Sequence, residues 1–400
     1  MSNEIERGLS QVDELLNIPD QYWLLGAGIS KEAGLPLMKP LTDHIEDLVV
    51  EDDLKMFTAV RRYLPDSANV EDILSHLGDL IAIAKRSQDD ECTFNGDEYT
   101  VDELRNFHAD ILSKIRKILR FGYKPATDGQ VEVIGDKDNP IVHVQNHLNF
   151  VKALFDERRK GFNRRPPIKF FTTNYDTLLE DSLALNRLNY VDGFSGGAMA
   201  FWDPKIYNEY ASKYIDAELY KLHGSIDWFV SEEDIVVRRR EGVSYPDKER
   251  SRLLIYPQAS KYMLTRRDPF SSLFSKFRES LYTEKSAILV VCGYSFGDEH
   301  INEEINRTMT FSGNSLTLLA FVKQDKNKLD HDNKGLPEQI YRWLSSEQTN
   351  WGNRLVVATD LGLFQGSLEN KIPPEDDSTY NWWTFEGLTK LLKNGPREVI

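Results

Sequence analysis

Two glycines stand directly after a short apolar run near the start of the chain. The run Tyr22–Leu25 predicts a buried parallel strand, and it ends at Gly26 and Gly28. Backbone N–H groups at the junction between a strand and a helix bind anions, and the helix dipole adds to this preference. Glycine lets a phosphate approach the backbone. The segment therefore predicts a nucleotide-binding turn, with Ser30 as the cap of a following helix and a small residue, Gly34, where the chain turns back.

The spacing of this turn departs from two common phosphate-binding motifs. Gly-x-Gly-x-x-Gly requires a third glycine where Lys31 stands, and no Gly-x-x-x-x-Gly-Lys-Ser/Thr sequence occurs in the chain. Two glycines after a strand also occur in ordinary turns. The prediction of nucleotide binding therefore depends on which other residues face this turn.

Polar residues follow three later apolar runs, and they are the other candidates for chemistry. The runs Ile168–Thr172, Leu219–Leu222 and Ala287–Cys292 predict strands. The residues after them are, in order, Thr173, Asn174, Tyr175 and Asp176; then His223, Gly224 and Ser225; then Gly293, Tyr294, Ser295, Phe296, Gly297 and Asp298. Each group alone could consist of turn formers, a structural histidine or a helix cap. Because the carboxyl ends of parallel strands share one edge, we expect these groups to meet at the glycine turn.

The remaining periodicity places these strand ends in an α/β fold. Residues 1–17 predict an amphipathic helix, and residues 41–120 predict several helices. Apolar runs at Leu316–Val322 and Leu355–Ala358 predict two more strands, and alternation of strands with helices is typical of a parallel sheet covered on both faces. We therefore predict a doubly wound, mostly parallel sheet with a large helical insertion, about residues 41–160, after the first strand.

Several local features fit between these elements. Asn69 is a candidate helix cap, and the polar segment Lys124–Pro140 predicts a loop or an exposed hairpin before a helix over His143–Phe155. The runs Ile235–Arg240 and Arg252–Tyr256 predict an additional hairpin. After residue 366 the chain is rich in proline and acidic residues. A terminal helix is then expected to carry a set of apolar side chains and to dock on its own domain or on a partner: Trp382, Trp383, Phe385, Leu388, Leu391 and Leu392.

Composition and charge limit the classes of function. A net charge of −15 over 400 residues weighs against direct binding of nucleic acid, which needs clustered cations. Cys92 and Cys292 are the only cysteines, which excludes a disulfide framework and a four-cysteine zinc site. His143 and His147 have a metal-ligand spacing but no third candidate nearby, so we predict no metal. No apolar run approaches the roughly 20 residues that cross a bilayer, and we expect a cytoplasmic protein without membrane contact.

Taken in chain order, the candidate residues resemble the signature of the sirtuin-like NAD-binding domain, a Rossmann-like fold. The matching motifs are Gly26-Ala27-Gly28-Ile29-Ser30 with Gly34 and Pro36, then Thr173-Asn174-Tyr175-Asp176, then His223-Gly224, and then Gly293-Tyr294-Ser295. The resemblance covers roughly residues 20–325. Within this superfamily, Thr-Thr-Asn-Tyr-Asp and Gly-Tyr-Ser-Phe-x-Asp are most similar to the bacterial anti-phage branch, which includes the partner of HerA-type ATPases and the Thoeris effectors.

Two departures separate the chain from protein-deacylating sirtuins. Those enzymes carry four zinc cysteines, and they continue with Asp-Phe-Arg where Leu37-Met38-Lys39 follows Pro36 here. Both features serve the acyl-lysine reaction or its scaffold, so the resemblance implies cleavage of NAD+ as a substrate, with water as the acceptor and no zinc. A protein deacylase or ADP-ribosyltransferase is one alternative. A non-catalytic module that binds NAD or an ADP-ribose derivative is another.

The chemistry of NAD+ cleavage and the resemblance together suggest roles for the candidates. Asn174 is expected to orient the attacking water or the ribose, and His223 to accept a proton, since its usual pKa of about 6.5 lies near neutrality. The resemblance implies that Asp176 and Ser30 hold the nicotinamide carboxamide. It places the diphosphate at Gly26, Ala27 and Gly28, and the adenosine side at Gly293 and Ser295. The other predicted NAD-binding residues are Gly34, Pro36, Thr173, Tyr294 and Asp298.

The resemblance also implies a cellular role and a domain organisation. It implies an NAD+ glycohydrolase that acts as an anti-phage effector by depleting NAD+, forms a homo-oligomer and has a HerA-type ATPase as a candidate partner. The expected units are an N-terminal helix over residues 1–19, the NAD-binding domain over 20–365 with its helical insertion, and a C-terminal linker and helix over 366–400.

Overall fold

A computed structural model describes residues 3–126, 129–158, 165–209, 215–230, 235–239, 252–255, 268–345, 351–374 and 378–396. Its α-helices are α1 (Asn3–Leu15), α2 (Met38–Asp47), α3 (Glu51–Tyr63), α4 (Val70–Ala84), α5 (Val101–Phe121), α6 (Gln145–Lys152), α7 (Leu178–Leu185), α8 (Ile206–Glu209), α9 (Phe270–Leu281), α10 (Glu299–Thr310), α11 (Glu338–Ser345) and α12 (Phe385–Asn394). Its strands are β1 (Asp20–Leu25), β2 (Glu91–Phe94), β3 (Asp97–Thr100), β4 (Tyr123–Lys124), β5 (Val133–Ile134), β6 (Ile168–Thr172), β7 (Tyr190–Val191), β8 (Phe194–Gly196), β9 (Met199–Trp202), β10 (Ala217–Lys221), β11 (Gly224–Val230), β12 (Val236–Arg239), β13 (Arg252–Ile255), β14 (Ala287–Cys292), β15 (Leu316–Val322), β16 (Leu355–Thr359) and β17 (Gly362–Gln365).

The central sheet has eight strands in the order β17-β16-β15-β14-β1-β6-β10-β7, and β17 alone pairs antiparallel. Side chains alternate across the faces of a strand. On β1, Tyr22 and Leu24 therefore enter one apolar cluster, while Trp23 and Leu25 enter a second cluster on the opposite face. Apolar layers on both faces explain why the strands are near-continuous apolar runs. The predicted doubly wound, mostly parallel α/β sheet is confirmed.

The segment between β1 and β6 forms the helical insertion, which has its own apolar cluster. Asn69 caps α4 with a capping box, in which the side chain of Asp72 bonds back to the cap backbone, so the predicted cap is confirmed. The exposed hairpin expected near 124–140 is present as β4 and β5. Strands β2 and β3 form a second hairpin, which the helical periodicity did not predict. Its turn is Asn95-Gly96, and both residues have the positive φ that such turns require.

The predicted hairpin over 235–240 and 252–256 is wrong. Strands β12 and β13 do not pair with each other, because β11 lies between them in a separate antiparallel sheet ordered β13-β11-β12-β9-β8. β11 begins at Gly224, immediately after His223. One edge of β11 pairs with β12 and the other with β13. Residues 240 and 256, the ends of the predicted runs, lie outside the described residues.

The C-terminal segment docks on the central domain. Trp382 is buried, and its Nε1–H donates to the carbonyl of Thr359 at 2.7 Å. Leu388 and Leu391 of α12 join the same apolar cluster as α1 and α6. The helix begins only at Phe385, so both tryptophans precede it, contrary to the sequence prediction. The hydroxyl of Thr384 accepts from the Gly387 N–H and starts the helix there.

Candidate active site

A pocket of about 850 Å³ lies at the carboxyl edge of the central sheet. Residues that follow β1, β6, β10, β14 and β15 line it, together with residues of the helical insertion and of the C-terminal segment. Its volume falls within the range of pockets that hold small molecules and cofactors. In parallel α/β sheets this edge is where ligands bind.

Twelve of the fourteen predicted site residues line this pocket. They are Ala27, Gly28, Ser30, Pro36, Thr173, Asn174, Asp176, His223, Gly293, Tyr294, Ser295 and Asp298. Gly26 and Gly34 do not line it. Gly26 packs under the turn after β14, and Gly34 has a φ of 95° and lies where a Cβ would be 2.7 Å from the Ile141 carbonyl oxygen.

The glycines after β1 are required by a contact between two turns. The N–H groups of Gly26 and Gly28 donate to the carbonyls of Cys292 and Gly293 at 3.1 and 2.9 Å. A Cβ on Gly28 would lie 2.7 Å from the Cα of Gly293, which is closer than a side chain permits. These two N–H groups therefore join the turns after β1 and β14. This backbone contact requires glycine at both positions, independently of the predicted approach of a phosphate.

Ser30 does not cap a helix, contrary to the sequence prediction. It is the last residue of a short 3-10 turn over Ala27–Ser30, and its side chain is buried. Its hydroxyl donates to Oδ2 of Asp176 at 2.9 Å, and Nδ2 of Asn174 donates to the Ser30 Oγ at 3.1 Å. Asn174, Ser30 and Asp176 thus form a chain from amide to hydroxyl to carboxylate, the amide network.

One atom of the amide network has no partner among the described residues. The Oδ1 of Asn174 is buried and accepts no hydrogen bond there. Buried polar atoms are nearly always hydrogen-bonded, so such an atom in a pocket is suited to a donor supplied by a ligand or a water. A ribose hydroxyl or a water molecule has the O–H group that this oxygen lacks. The amide side of the pocket therefore fits the ribose end of a dinucleotide.

His223 and Asp298 form a second buried pair. The Nε2 of His223 lies 2.9 Å from Oδ2 of Asp298, and both side chains are buried. The other oxygen of Asp298 caps α10 by accepting from the N–H groups of His300 and Ile301. Because a carboxylate only accepts, this contact fits the tautomer in which the Nε2–H of His223 donates to Asp298. The sequence predicted both residues but not their contact.

A buried lysine supports the amide network from behind. Lys221, the last residue of β10, donates to the carbonyl of Asp176, and its Nζ lies 3.0 Å from Oε1 of Glu180. Burial raises the pKa of Glu180 to about 7, although the charge of Lys221 lowers it, and Asp227 adds to the increase. Sequence reasoning missed this pair. A lysine inside an apolar strand was the available signal, since lysine is rarely buried without a partner.

The C-terminal segment contributes three residues to the lining of the pocket, and the ring of one of them, Phe385, lies 5.0 Å from that of His147 beside the amide network. Trp383, Thr384 and Phe385 line it, and Nζ of Lys323, the first residue after β15, lies 4.9 Å from the centre of the Trp383 ring. Strand β15 is three positions from β6 in the sheet. At the usual strand spacing, the ends of β15 and β6 are about 14 Å apart. The pocket thus has one end at the amide network and one at Lys323 and Trp383.

One protein family model matches the part of the chain that contributes most of the polar residues of the pocket. The model of the SIR2-like domain family matches residues 168–346, from the first residue of β6 to one residue beyond α11. This match supports a sirtuin-like domain. SIR2-like domains bind NAD+, and members of the family are NAD-dependent enzymes. The matched region contains Asn174, His223 and Asp298 but not the glycine turn after β1. No curated protein gives a significant match to the chain.

The described residues contain neither a candidate metal-binding group nor a helix suited to cross a membrane. Within the described ranges, no group of three or more His, Cys, Asp or Glu residues is arranged to hold a metal ion, and His143 and His147 belong to no such group. No helix in that part of the chain is both long and apolar enough to cross a bilayer.

We predict that His147 makes stability depend on pH. Its side chain is buried, its Nε2 lies 3.5 Å from Ser30 Oγ, and burial lowers its pKa to about 4. An unfolded histidine has a pKa of about 6.5, so the unfolded chain binds the proton first. Stability should therefore fall as the pH decreases from about 6.5 to about 4, by at most roughly 3 kcal/mol from this residue, and then level off.

Denaturant unfolding across this pH range measures the effect. His147→Gln should show a smaller loss of unfolding free energy on acidification than the unaltered protein. His331→Gln, which changes an exposed histidine, is the matched control and should keep the full loss. Equal pH dependence in all three proteins would contradict the assignment.

Proposed function

We propose that this protein is an NAD+ glycohydrolase, in which water cleaves the N-glycosidic bond of NAD+ to yield nicotinamide, ADP-ribose and a proton. The observation that carries the proposal is the convergence of two buried polar groups on one pocket. These are the amide network of Asn174, Ser30 and Asp176 and the pair of His223 and Asp298. The match to the SIR2-like family supports NAD+ as the ligand.

The charge of the pocket suits the bond that breaks. Nicotinamide is a cationic ring in NAD+ and leaves as a neutral molecule, so positive charge develops on the ribose in the transition state. Buried carboxyl groups of Glu71, Asp176 and Asp298 line the pocket. Preoriented negative charge stabilises a developing cation. The reaction therefore needs electrostatics and positioning more than a strong acid.

The two polar groups have separate tasks in this proposal. The unpartnered Oδ1 of Asn174 accepts a hydrogen bond from the attacking water or a ribose hydroxyl and orients it. His223 takes up the proton that the reaction releases, while Asp298 holds its Nε2 and stabilises the imidazolium. Asp176 and Ser30 bind the nicotinamide carboxamide, as the resemblance to sirtuin-like domains implies.

The adenosine half fits the other end of the pocket. Gly293 and Ser295 border this side, and Trp383 offers an aromatic face for the adenine ring. Lys323 is exposed and makes no ion pair with another described residue, so its charge is available to a phosphate oxygen. At the usual strand spacing the ends of β6 and β15 are about 14 Å apart, which suits an extended dinucleotide lying across them.

Substitution of the two polar groups tests the proposal. Asn174→Ala and His223→Ala should each lower the rate of nicotinamide release from NAD+ by at least ~100-fold, the usual contribution of a positioned acid–base group. Binding of NAD+, measured by calorimetry, should change little. His143→Ala, which alters an exposed histidine, is the control and should keep full activity. Unchanged hydrolysis by the His223→Ala protein would remove that residue from the mechanism.

A shortened substrate tests the adenosine end. Base stacking on an aromatic side chain contributes about 1–3 kcal/mol, so Trp383→Ala should raise the KM for NAD+ by about 10-fold or more. Nicotinamide mononucleotide lacks the adenosine, so its hydrolysis should be equally fast in Trp383→Ala and the unaltered protein. With NAD+ as the substrate, the KM of Trp383→Phe should lie between those of Trp383→Ala and the unaltered protein. An equal loss with both substrates would show that Trp383 acts on the fold rather than on adenine.

We also propose that the activity serves as an anti-phage effector that depletes NAD+ and is regulated by oligomerisation or a HerA-type ATPase. This part rests on the resemblance of the Thr-Thr-Asn-Tyr-Asp motif and of residues 293–298 to the defence branch. Light scattering with and without a co-encoded ATPase should show a larger assembly in its presence, and the rate of nicotinamide release should change. An unchanged mass and rate would exclude regulation by that partner.

A further inference from the structure

The first turn of α4 brings the helical insertion into the pocket. Asn69, the cap of this helix, and Glu71, in its first turn, both line the pocket. The Glu71 residue is only 3% exposed. The insertion therefore supplies a buried carboxyl group to a site whose proposed reacting groups all follow strands of the central sheet.

Glu71 contacts the loop that carries the amide network. The hydroxyl of Tyr175 donates to Oε1 of Glu71 at 2.5 Å, and Tyr175 lies between Asn174 and Asp176 in the chain. Burial and the nearby charge of Glu71 raise the pKa of Tyr175 well above its usual value. The hydroxyl therefore stays protonated and remains a donor to the carboxylate.

The backbone of Tyr175 is held from another direction. Its carbonyl accepts from Oγ of Ser225 at 3.2 Å and from the N–H of Ile226 at 3.0 Å. Both donors belong to β11, which begins directly after His223. The ring centres of Tyr175 and His223 are 6.4 Å apart. Tyr175 thus joins the insertion, the loop of the amide network and the strand that follows the histidine.

The helix dipole does not explain this contact. An acid in the first turn of a helix is favoured by the dipole, and Asp72 completes the capping box. An exposed acid would satisfy the dipole equally well. Burial of a carboxyl group costs free energy unless it is hydrogen-bonded, and the hydroxyl of Tyr175 supplies a hydrogen bond to Oε1 of Glu71.

We propose that the hydrogen bond between Glu71 and Tyr175 positions the loop from Asn174 to Asp176 for reaction, which makes Glu71 a positioning residue contributed by the insertion. The inference rests on the proposed function. A displacement of about 1 Å at reacting groups costs on the order of 100-fold in rate, so the loss of one such bond has a measurable effect.

Three substitutions test the pair. Tyr175→Phe and Glu71→Leu remove the hydrogen bond at similar volume, and each should lower kcat/KM for NAD+ by about 10- to 100-fold. The double variant should lose no more than either single variant. Glu71→Gln keeps an acceptor oxygen and should retain most of the activity. In a His223→Ala background, which should bind NAD+ without cleaving it, Tyr175→Phe and Glu71→Leu should also reduce the rise in Tm caused by NAD+ but leave the rise caused by ADP-ribose, which lacks nicotinamide.

Tyr99→Phe is the matched control. Tyr99 is also a buried tyrosine of the insertion, and its hydroxyl has no hydrogen-bond partner in the described part of the chain. This variant should behave as the unaltered protein. Additive losses in the double variant, full kcat/KM in Tyr175→Phe, or equal loss of the two Tm shifts would overturn the positioning role. If the unaltered protein releases no nicotinamide, the proposed function fails, and the two Tm shifts alone decide whether the pair positions the loop.

Discussion

The backbone contact between the turns after β1 and β14 is the constraint on which the site depends. These strands are adjacent and parallel, and Leu25 pairs in register with Cys292, so their following turns meet at the same height. They can touch only without side chains: a Cβ on Gly28 would collide with Gly293, and a Cβ on Gly293 would lie 2.6 Å from the Ile29 nitrogen. This contact fixes the position of the turns after β1 and β14. The polar residues that follow β6, β10 and β14 line the same pocket.

Buried hydrogen bonds fix the positions of the proposed reacting groups. The amide network and the pair of His223 and Asp298 are both shielded from water, where hydrogen bonds are stronger because the local dielectric constant is low. Lys221 binds the carbonyl of Asp176 from behind, and Tyr175 ties the same loop to the insertion. The loop is therefore held on several sides, while the buried Oδ1 of Asn174, a residue that lines the pocket, has no partner among the described residues.

Local patterns predicted the central sheet well and its accessory parts less well. The predicted runs Ala287–Cys292 and Leu316–Val322 coincide with β14 and β15, because strands buried on both faces are continuous apolar runs. The pairing of β12 with β13 was predicted wrongly, since nearness along the chain favours a hairpin and nothing local shows that β11 lies between them. The helix cap predicted for Ser30 is also wrong, and the packing of Gly26 against the turn after β14 was not predicted, because their partners are far away in the sequence.

The sequence by itself determined which residue types stand at the ends of the parallel strands, and hence that glycine, amide, imidazole and carboxylate groups share one edge. Only the tertiary structure decided which of them touch. His223 meets Asp298 across 75 residues, and Tyr175 meets Glu71 across 104. Strand periodicity reports the face on which a side chain lies, but a contact between distant residues depends on the order of strands in the sheet and on the packing of the insertion and tail against it. No local pattern encodes that order.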